Sequence, residues 1–473
     1  MLSFVVVIAA AAAAAPAPAA AAAEYAQRAL FLADRMAACA FAPALGVFLD
    51  EQLWQSGASL ETMANALLAD PPPRLRADLA AVFAAAFSKT PVIVDNCFDD
   101  HQWWGLAWAR GFAALRDPAY LARSAAIFDF VAQKGWEEAL CGGGVTWCPP
   151  PTSPYKNAIT AELFLSLAMA LHPHAAALNR SASFFSGWAS RVHGWLAASG
   201  MQNAEGLLND GLNSATCENN GQTTWSYNQG VLLSGLYRLS AATGDAAPLA
   251  MAVRVANATM ALLTIDGVLT EPCPGGSCGQ DGQIFKGMFV KHLGYLLAED
   301  AAAAPPLLPA AFAAQAAAFL AANARALLAS DGCADLGYGF RWAGSACDVE
   351  STATDSAALD LLLGAAAAGA PPPAPPPAWR ALGVGNCADD AGASMANCFA
   401  DGAVLQACED AAYADAGAVA FDFHAPCLGG GKGFCRVRTR STSCPGGFSF
   451  EGGSASGVTR GDGSALAMCF LRS

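Results

Sequence analysis

Apolar residues recur at three- and four-residue spacing through almost the whole of residues 24–364. Segments 101–115, 158–171 and 228–242 show this spacing, and the strict alternation typical of half-buried strands is nearly absent. Because this spacing places apolar side chains on one face of a helix, the region is predicted to be all-α. About 340 residues in one apolar unit match a ring of twelve paired helices, at roughly 28 residues per helix and loop. Spacing alone does not separate such a ring from other helical arrays.

A different kind of sequence follows residue 364. Residues 365–379 are a linker rich in proline and alanine, for which an extended and semi-rigid chain is expected. Residues 380–473 carry seven cysteines, many glycines and strand-forming stretches at 418–424 and 435–440. They are predicted to form a small disulfide-rich module with strands. Its role stays open between a stabilising appendage and a carbohydrate- or wall-binding module.

The charge balance excludes one class of partner. Asp and Glu outnumber Lys and Arg by 39 to 25 in the 473 residues, so the formal net charge is −14. Nucleic acid is therefore not an expected partner, because no basic field is present to attract phosphates. The hydrophobic fraction of 55% consists largely of alanine, and 25 Phe and 11 Trp provide bulk for a core and for stacking surfaces.

The first 23 residues are predicted to be a secretory signal peptide. A bulky apolar core, Phe4 to Ile8, precedes a run of small residues that offers several cleavage sites before Glu24. A signal anchor is the alternative, although Pro16 and Pro18 interrupt the run. We therefore expect a secreted or extracellular protein with no stable membrane insertion after cleavage.

Sixteen cysteines agree with an oxidising compartment. The pairs Cys141/Cys148 and Cys273/Cys278 are close in sequence and are predicted to close short loops. Zinc is the weaker interpretation, because paired C-x-x-C units are lacking and histidine is scarce, so no metal site is predicted. Nine cysteines precede residue 350 and seven follow residue 380. Because both numbers are odd, either one disulfide joins the two regions or each region has a free thiol. Sequons at Asn179 and Asn257 fit a glycoprotein.

The stretch Val94-Asp95-Asn96-Cys97-Phe98-Asp99-Asp100-His101-Gln102-Trp103-Trp104 could carry chemistry. Adjacent helical residues point about 100° apart, so the carboxyl groups of Asp99 and Asp100 should diverge. A sugar ring fits against both at the separation of about 5 Å that retaining glycosidases need. The helix N-terminus is expected to lower the pKa of one carboxyl group, and packing against tryptophan is expected to raise the pKa of the other. The alternative is an ordinary N-cap with a first-turn acid.

Further groups of polar and aromatic residues mark the mouths of later helices. They are Lys134-Gly135-Trp136, Cys141-Gly142-Gly143-Gly144-Val145-Thr146-Trp147, Tyr155-Lys156-Asn157-Ala158-Ile159, Asn209-Asp210-Gly211-Leu212, Trp225-Ser226-Tyr227-Asn228-Gln229-Gly230, and Asp281 with Phe285-Lys286-Gly287. In order and spacing they resemble glycoside hydrolase family 76, the family of α-1,6-mannanases and related cell-wall transglycosidases. The likeness covers nearly all of residues 25–365.

The resemblance implies an (α/α)6 barrel at residues 24–364. It also implies hydrolysis of α-1,6-mannosidic bonds with retention of the anomeric configuration. By motif, Asp99 matches the nucleophile and Asp100 the general acid/base. The residues expected to bind substrate are Trp103, Trp104, Asn157, Asp210, Tyr227, Asn228, Gln229 and Asp281. At least one of the two tryptophans is expected to pack the helix instead. Lys156 and Lys286 are candidates for holding loop carboxylates in place.

The function implied by the resemblance is that of a secreted retaining hydrolase acting within α-1,6-mannan chains. It needs no cofactor, and we expect a monomer whose partners are α-mannan or other mannose-containing glycans. A cell-wall transglycosidase with the same two acids is one alternative. A non-catalytic glycan-binding protein is the other, and retention of both Asp99 and Asp100 argues against it.

Overall fold

The computed structural model describes residues 18–94, 97–149, 154–273, 278–330, 333, 337–344 and 347–369, followed by the strands of the C-terminal region. Side chains are described from residue 24 to residue 369 within these ranges. Residues 1–17 of the predicted signal peptide and residues 370–378 of the predicted linker lie outside the described residues.

Within the described residues the helical region contains thirteen α-helices. They are α1 Pro18–Arg35, α2 Leu53–Leu68, α3 Pro73–Lys89, α4 Phe98–Leu115, α5 Pro118–Lys134, α6 Ala158–Leu171, α7 Ala182–Ala198, α8 Ser226–Gly230, α9 Leu232–Thr243, α10 Ala246–Leu262, α11 Gly279–Ala302, α12 Ala310–Ala329 and α13 Thr352–Ala367. Strand pairs β1 Phe41–Ala42 with β2 Val47–Phe48, and β3 Thr264–Ile265 with β4 Val268–Leu269, form short hairpins. The predicted all-α region is confirmed. The last helix ends at Ala367, three residues into the segment predicted as linker.

The helices form an (α/α)6 barrel. Around the inner ring α2 packs on α4, α4 on α6, α6 on α9, α8 and α9 on α11, α11 on α13, and α13 again on α2. Helices α1, α3, α5, α7, α10 and α12 lie outside this ring, each packed on the inner helices next to it. The inner helices are consequently apolar around much of their circumference, as α6 illustrates with all but one of its residues buried.

Local sequence signals account for several helix ends. Asp117 and Asp245 cap α5 and α10 by accepting hydrogen bonds from Ala119 and Ala247. Pro118 then occupies the first turn of α5, where its missing N–H is not needed. At α13 the side chain of Ser351 caps the helix in a reciprocal capping box. Such caps place the helix boundaries that the apolar spacing leaves uncertain.

Buried ion pairs connect distant helices. The guanidinium of Arg35, at the end of α1, bonds to Asp355 in α13 and to Glu350 at 2.6 Å. Inside the barrel the ammonium of Lys291 lies 3.2 Å from Asp360 and 3.6 Å from Glu61. Removing one partner of such a pair leaves a buried charge uncompensated. These contacts therefore fix how α13 sits in the ring.

Helix α12 is the one helix among the described residues that is long and apolar enough to cross a membrane. It consists largely of alanine, and it packs on α11 and α13 through buried Phe312, Phe319 and Leu320. A core helix of a folded domain passes the same length and composition test.

The disulfides in the loops of the barrel differ in part from those predicted from the sequence. Cys273–Cys278 is present as predicted, but Cys141 pairs with Cys217 and Cys148 pairs with Cys97. The predicted Cys141–Cys148 bridge is therefore wrong, because Cys148 lies beside the N-cap of α4 whereas Cys141 lies beside the loop between α7 and α8. Cys333 pairs with Cys347. Cys39 is also disulfide-bonded, and its partner is none of these eight cysteines.

The C-terminal region contains a six-stranded antiparallel sheet in the order β10-β7-β9-β8-β12-β5 and a two-stranded pair. The strands are β5 Trp379–Val384, β6 Cys387–Ala388, β7 Asn397–Ala403, β8 Ala418–His424, β9 Gly433–Thr439, β10 Ser449–Glu451, β11 Arg460–Gly461 and β12 Ala467–Arg472. Both predicted strand regions are found, in β8 and β9. Side chains are not described in this region, so the pairing of its cysteines stays a prediction.

Two inner helices meet where Gly287 of α11 faces Ala357 of α13. A Cβ at Gly287 would lie 2.6 Å from the Cα of Ala357, which is closer than real contacts allow. We expect Gly287→Ala to lower the free energy of unfolding by about 1–3 kcal/mol, because overpacking forces the helices apart. Thermal unfolding measures this. Gly194→Ala, at an exposed position of α7 with nothing within 4 Å, is the control and should be neutral or stabilising. Equal midpoints for the two variants would contradict close packing at this seam.

Candidate active site

A cleft of about 320 Å³ opens at the end of the barrel where the inner helices begin. Its walls come from the N-terminal turns of α2, α4, α8 and α11, from the cap of α6 and from two loops. The lining residues are Gln52, Leu53, Trp54, Asp99, Asp100, Trp103, Trp147, Tyr155, Asn157, Asp210, Tyr227, Asp281 and Phe285. The cleft thus gathers residues from the separated motifs of the sequence.

The two adjacent acids lie in the first turn of α4 and are both half-buried at the cleft. Cys97 occupies the N-cap, so neither Asp99 nor Asp100 serves as the capping residue. The partial positive charge at the helix N-terminus stabilises carboxylates in this turn. Because neighbouring helical side chains diverge, the two carboxyl groups approach the cleft from different directions.

A loop after α5 delivers a tryptophan to the first of these acids. The indole Nε1 of Trp147 donates a hydrogen bond to Oδ2 of Asp99 at 2.9 Å. Next to it, the backbone N–H of Phe98 donates to the carbonyl of Trp147 at 2.7 Å. The disulfide Cys97–Cys148 joins the two segments covalently. Trp147 nevertheless keeps 38% of its surface exposed, so its indole forms part of the cleft wall.

The buried side chain of Lys156 holds the loop that carries Trp147 from the interior of the protein. Its ammonium donates to the carbonyl of Gly144 at 2.5 Å, to the carbonyl of Glu137 at 3.0 Å and to Thr146 Oγ1 at 3.2 Å. Burial lowers the pKa of Lys156 to about 8. The expectation that Lys156 holds loop carboxylates is corrected, because its hydrogen-bond acceptors are carbonyls and a hydroxyl.

A third acid, Asp210, faces the cleft from the loop before α8. Its carboxylate accepts a hydrogen bond from the hydroxyl of Tyr155 at 2.5 Å, and Asn220 donates to the same hydroxyl at 2.8 Å. Burial raises the pKa of Asp210, and the Tyr155 hydrogen bond partly opposes that shift. The carbonyl of Asp210 accepts from the N–H of Ala158 at 2.8 Å, beside Asn157, whose side chain caps α6. The start of α6 thereby positions this loop.

Aromatic rings form another wall of the cleft. Tyr227 stacks on Phe285 with centroids 3.9 Å apart, and nearly parallel to Trp103 at 6.5 Å. Trp54 packs on Trp103 at 5.5 Å and donates its Nε1 hydrogen to Asp281 at 3.1 Å. Aromatic faces of this kind bind the apolar faces of sugar rings as well as other rings.

The cleft is acidic, and none of its described lining residues is Lys, Arg or His. Burial raises the pKa of the Tyr227 hydroxyl well above its usual range, and the carboxylates of Asp210, Asp99, Glu162 and Asp281 raise it further. Glu162 is fully buried beneath the cleft, and burial raises its pKa well above the usual value. An anionic ligand would be repelled here. A neutral, polyhydroxylated ligand fits the acids and the rings.

Three residues predicted to bind substrate lie elsewhere. Trp104 is buried behind the cleft, where its Nε1 donates to the carbonyl of Leu53 and its ring packs on Trp108. Gln229 is fully buried and bonds to the backbone of residues 208 and 225, and Asn228 is fully buried as well. Helical periodicity turns these side chains into the core, and their role in binding substrate stays a prediction. Trp103 is almost wholly buried and contributes only the floor of the cleft.

Six lining residues were absent from the predicted site: Gln52, Leu53, Trp54, Trp147, Tyr155 and Phe285. Three of them lie inside motifs that the sequence analysis singled out, so proximity to the matched positions was an available signal. Gln52, Leu53 and Trp54 stand at the start of α2, and no motif marks them. The packing of α2 on α4 brings them to the cleft.

The chain matches the sequence model of glycosyl hydrolase family 76 over residues 19–375. Among curated proteins it is similar to the mannan endo-1,6-alpha-mannosidase DCW1 of Candida albicans, 29% identical over 213 residues, which are 41% of this chain and 46% of the relative. It is also similar to DFG5 of Saccharomyces cerevisiae, described by the same activity, at 26% identity over 41% of this chain and 45% of the relative. The matched region spans less than half of these relatives.

Solved structures share the fold. One is an inactive variant of the alpha-1,6-mannanase GH76A of Salegentibacter sp. HEL1_6 in complex with alpha-1,6-mannotriose, with a TM-score of 0.62 and 20% identity over 72% of this chain and 99% of that chain. Another is Dfg5 from Chaetomium thermophilum in complex with glucosamine, with a TM-score of 0.56 and 22% identity over 68% of this chain and 82% of that chain.

Replacing Lys156 should loosen the loop that carries Trp147. In Lys156→Met the carbonyls of Gly144 and Glu137 lose their donor inside the protein, and we expect a loss of about 1–3 kcal/mol in the free energy of unfolding. Thermal unfolding gives the loss, and amide hydrogen exchange over residues 137–147 should accelerate. Exposed Lys134 at the end of α5 provides the control variant Lys134→Met. Unchanged exchange in Lys156→Met would show that the loop is held without the ammonium.

Proposed function

This chain belongs to glycosyl hydrolase family 76, and from that premise we propose that it is a secreted, retaining glycoside hydrolase that cleaves α-1,6-mannosidic bonds within mannan chains. The observation that carries the proposal is the pair Asp99–Asp100 in one cleft, with an indole N–H bonded to the first carboxylate. A donor to the charged form favours ionisation, which a nucleophile requires.

In the proposed mechanism Asp99 attacks the anomeric carbon of the mannose unit while Asp100 protonates the departing glycosidic oxygen. The bond from carbon to the leaving oxygen breaks as the bond to the Asp99 carboxylate forms. Asp100, now ionised, removes a proton from water, which attacks the same carbon and releases Asp99. Adjacent residues of one helical turn leave little room for water between nucleophile and sugar, which favours this double displacement.

Similar proteins support the assignment. The Salegentibacter enzyme complexed with mannotriose is inactive with two consecutive aspartates replaced by asparagine. Asp99 and Asp100 are consecutive aspartates at the cleft of the shared fold. The names of the curated relatives describe endo-acting mannosidases, which supports cleavage within chains.

The cleft chemistry supports a neutral glycan as substrate. Asp210 and Asp281 can accept hydrogen bonds from sugar hydroxyls, and the side chain of Asn157 adds an amide at the same wall. Trp54 and Tyr227 offer ring surfaces beside them. Secretion is supported by the predicted signal peptide and by the disulfides of the barrel. We propose a monomer acting on α-mannan outside the cell.

Removing either acid should abolish activity without unfolding the protein. We expect Asp99→Asn and Asp100→Asn each to lower kcat/KM on linear α-1,6-mannan by about 10³-fold or more, because nucleophile or acid chemistry is lost. Release of reducing ends is the measurement. Asp266→Asn, at an exposed turn, is the matched control and should retain full activity. Near-normal turnover by Asp99→Asn would overturn the catalytic assignment.

Product sizes separate the hydrolase from its alternative. Hydrolysis within chains gives products that are all shorter than the starting mannan oligosaccharide. A transglycosidase gives some products that are longer than it. If longer products were the main outcome, the assigned reaction would be glycosyl transfer by the same two acids instead of hydrolysis.

Stereochemistry tests the double displacement separately. Two inversions at one carbon return the starting configuration, so the first product formed should be the α anomer. Proton NMR in the first minutes, before mutarotation, distinguishes the anomers. A β anomer appearing first would exclude Asp99 as a covalent nucleophile.

A further inference from the structure

Trp147 is held at the cleft by links to α4 and to Tyr155. The hydrophobic core of the described residues does not include its side chain, which is 38% exposed. Its backbone carbonyl accepts from Phe98 at 2.7 Å, and its backbone N–H donates to the carbonyl of Tyr155 at 2.8 Å. Beyond these bonds, its ring meets Tyr155 edge-on at 6.2 Å. An exposed ring with so little packing depends on covalent or hydrogen-bonded links for its position.

The disulfide Cys97–Cys148 is the covalent link. Cys97 precedes Asp99 by two residues, and Cys148 directly follows Trp147, so the bridge joins the backbone of the carboxylate to the backbone of the indole. The bridge closes a sequence separation of 51 residues. Without it, the backbone of Trp147 would be held beside α4 by its hydrogen bonds to Phe98 and Tyr155, while Lys156 would still hold the residues before it.

The charges around Asp99 explain why the indole matters. Asp100 on the same helix, Asp210 from the loop before α8 and Asp281 on α11 line the same cleft, and none of the described lining residues is a cation. The hydroxyl groups of Tyr155 and Tyr227 are uncharged, because burial raises the pKa of each. Like charges disfavour ionisation of a carboxyl group, whereas a helix N-terminus and an N–H donor favour it.

We propose that Trp147 is a positioning residue that orients Asp99 and keeps it ionised, and that the Cys97–Cys148 disulfide holds the indole in place. Catalysis then depends on this one disulfide through a side chain that need not touch the reacting bond. The catalytic part of the proposal rests on the proposed function, whereas the effect on Asp99 ionisation does not.

Removing the donor alone is the first experiment. Trp147→Phe keeps an aromatic ring against Tyr155 but removes the N–H. We expect the acidic limb of the kcat/KM profile on α-1,6-mannan to move to higher pH by about one unit, because the lost N–H donor stabilised the ionised form of Asp99. The melting temperature should stay close to that of the wild type. An unmoved acidic limb would overturn the role of Trp147.

Removing the disulfide is the second experiment. Cys97→Ser/Cys148→Ser should reproduce the pH shift of Trp147→Phe, and adding Trp147→Phe to this variant should cause little further loss. Such non-additivity is expected only when the three residues act through one contact. Cys333→Ser/Cys347→Ser removes a disulfide outside the cleft and should leave the acidic limb in place. Additive losses would show that the bridge acts independently of the indole.

An NMR titration separates this inference from the proposed activity. The indole ¹⁵N–¹H resonance of Trp147, assigned by its loss in Trp147→Phe, should follow the ionisation of Asp99 in the wild type. The titration should vanish in Asp99→Asn and in Cys97→Ser/Cys148→Ser. If the wild type released no product from mannan but showed this titration, the proposed function would fail and the Trp147–Asp99 link would stand. Absence of the titration in the wild type would overturn the link itself.

Discussion

The common direction of the inner helices is the constraint on which the rest of the structure depends. Each inner helix returns to the ring after an outer partner, so the N-terminal turns meet at one end of the barrel. The C-terminal halves of α4, α6, α9 and α11 line a second cavity, which contains Arg110 and Arg238. Glu61 and Glu299 line that cavity as well, so it holds both charges. At the other end, Asp99, Asp100 and Asp281 lie in first turns, where the helix dipole favours carboxylates. One end of the barrel is thereby suited to hold carboxylates.

The acidic cleft follows from this arrangement and limits what can bind. Four carboxylates share the cleft without a cation among its described lining residues, so an anion would be repelled, and a neutral polyol can bond to the carboxylates. Neutral hydrogen-bond donors therefore stabilise the carboxylates in this cleft, as cations do in other sites. Tyr155 donates to Asp210, Trp54 donates to Asp281 and Trp147 donates to Asp99. Three of the four acids are thus each matched with an aromatic side chain that carries a polar hydrogen.

Much of the fold was available from sequence because its signals are local. Three- and four-residue spacing predicts the helices, strand-forming stretches predict β8 and β9, and Asp99 and Asp100 are adjacent in the chain. The family resemblance predicted the barrel and placed Asn157, Tyr227 and Asp281 at the cleft. It also carried over Trp104, Asn228 and Gln229. Their neighbours line the cleft, but a rotation of about 100° per residue turns these three side chains into the core.

By itself, then, the sequence determined that the chain forms helices, where several of them begin, and which two acids lie together. The packing of the helices and loops decided the rest, because it sets contacts between residues far apart in the chain. It brought Trp54 of α2 to Asp281 of α11, and Trp147 to Asp99 across 48 residues. It also paired Cys148 with Cys97 although Cys141 is closer in sequence. Short separation favours a bridge only when both cysteines lie beside the same part of the fold, and that depends on the tertiary structure.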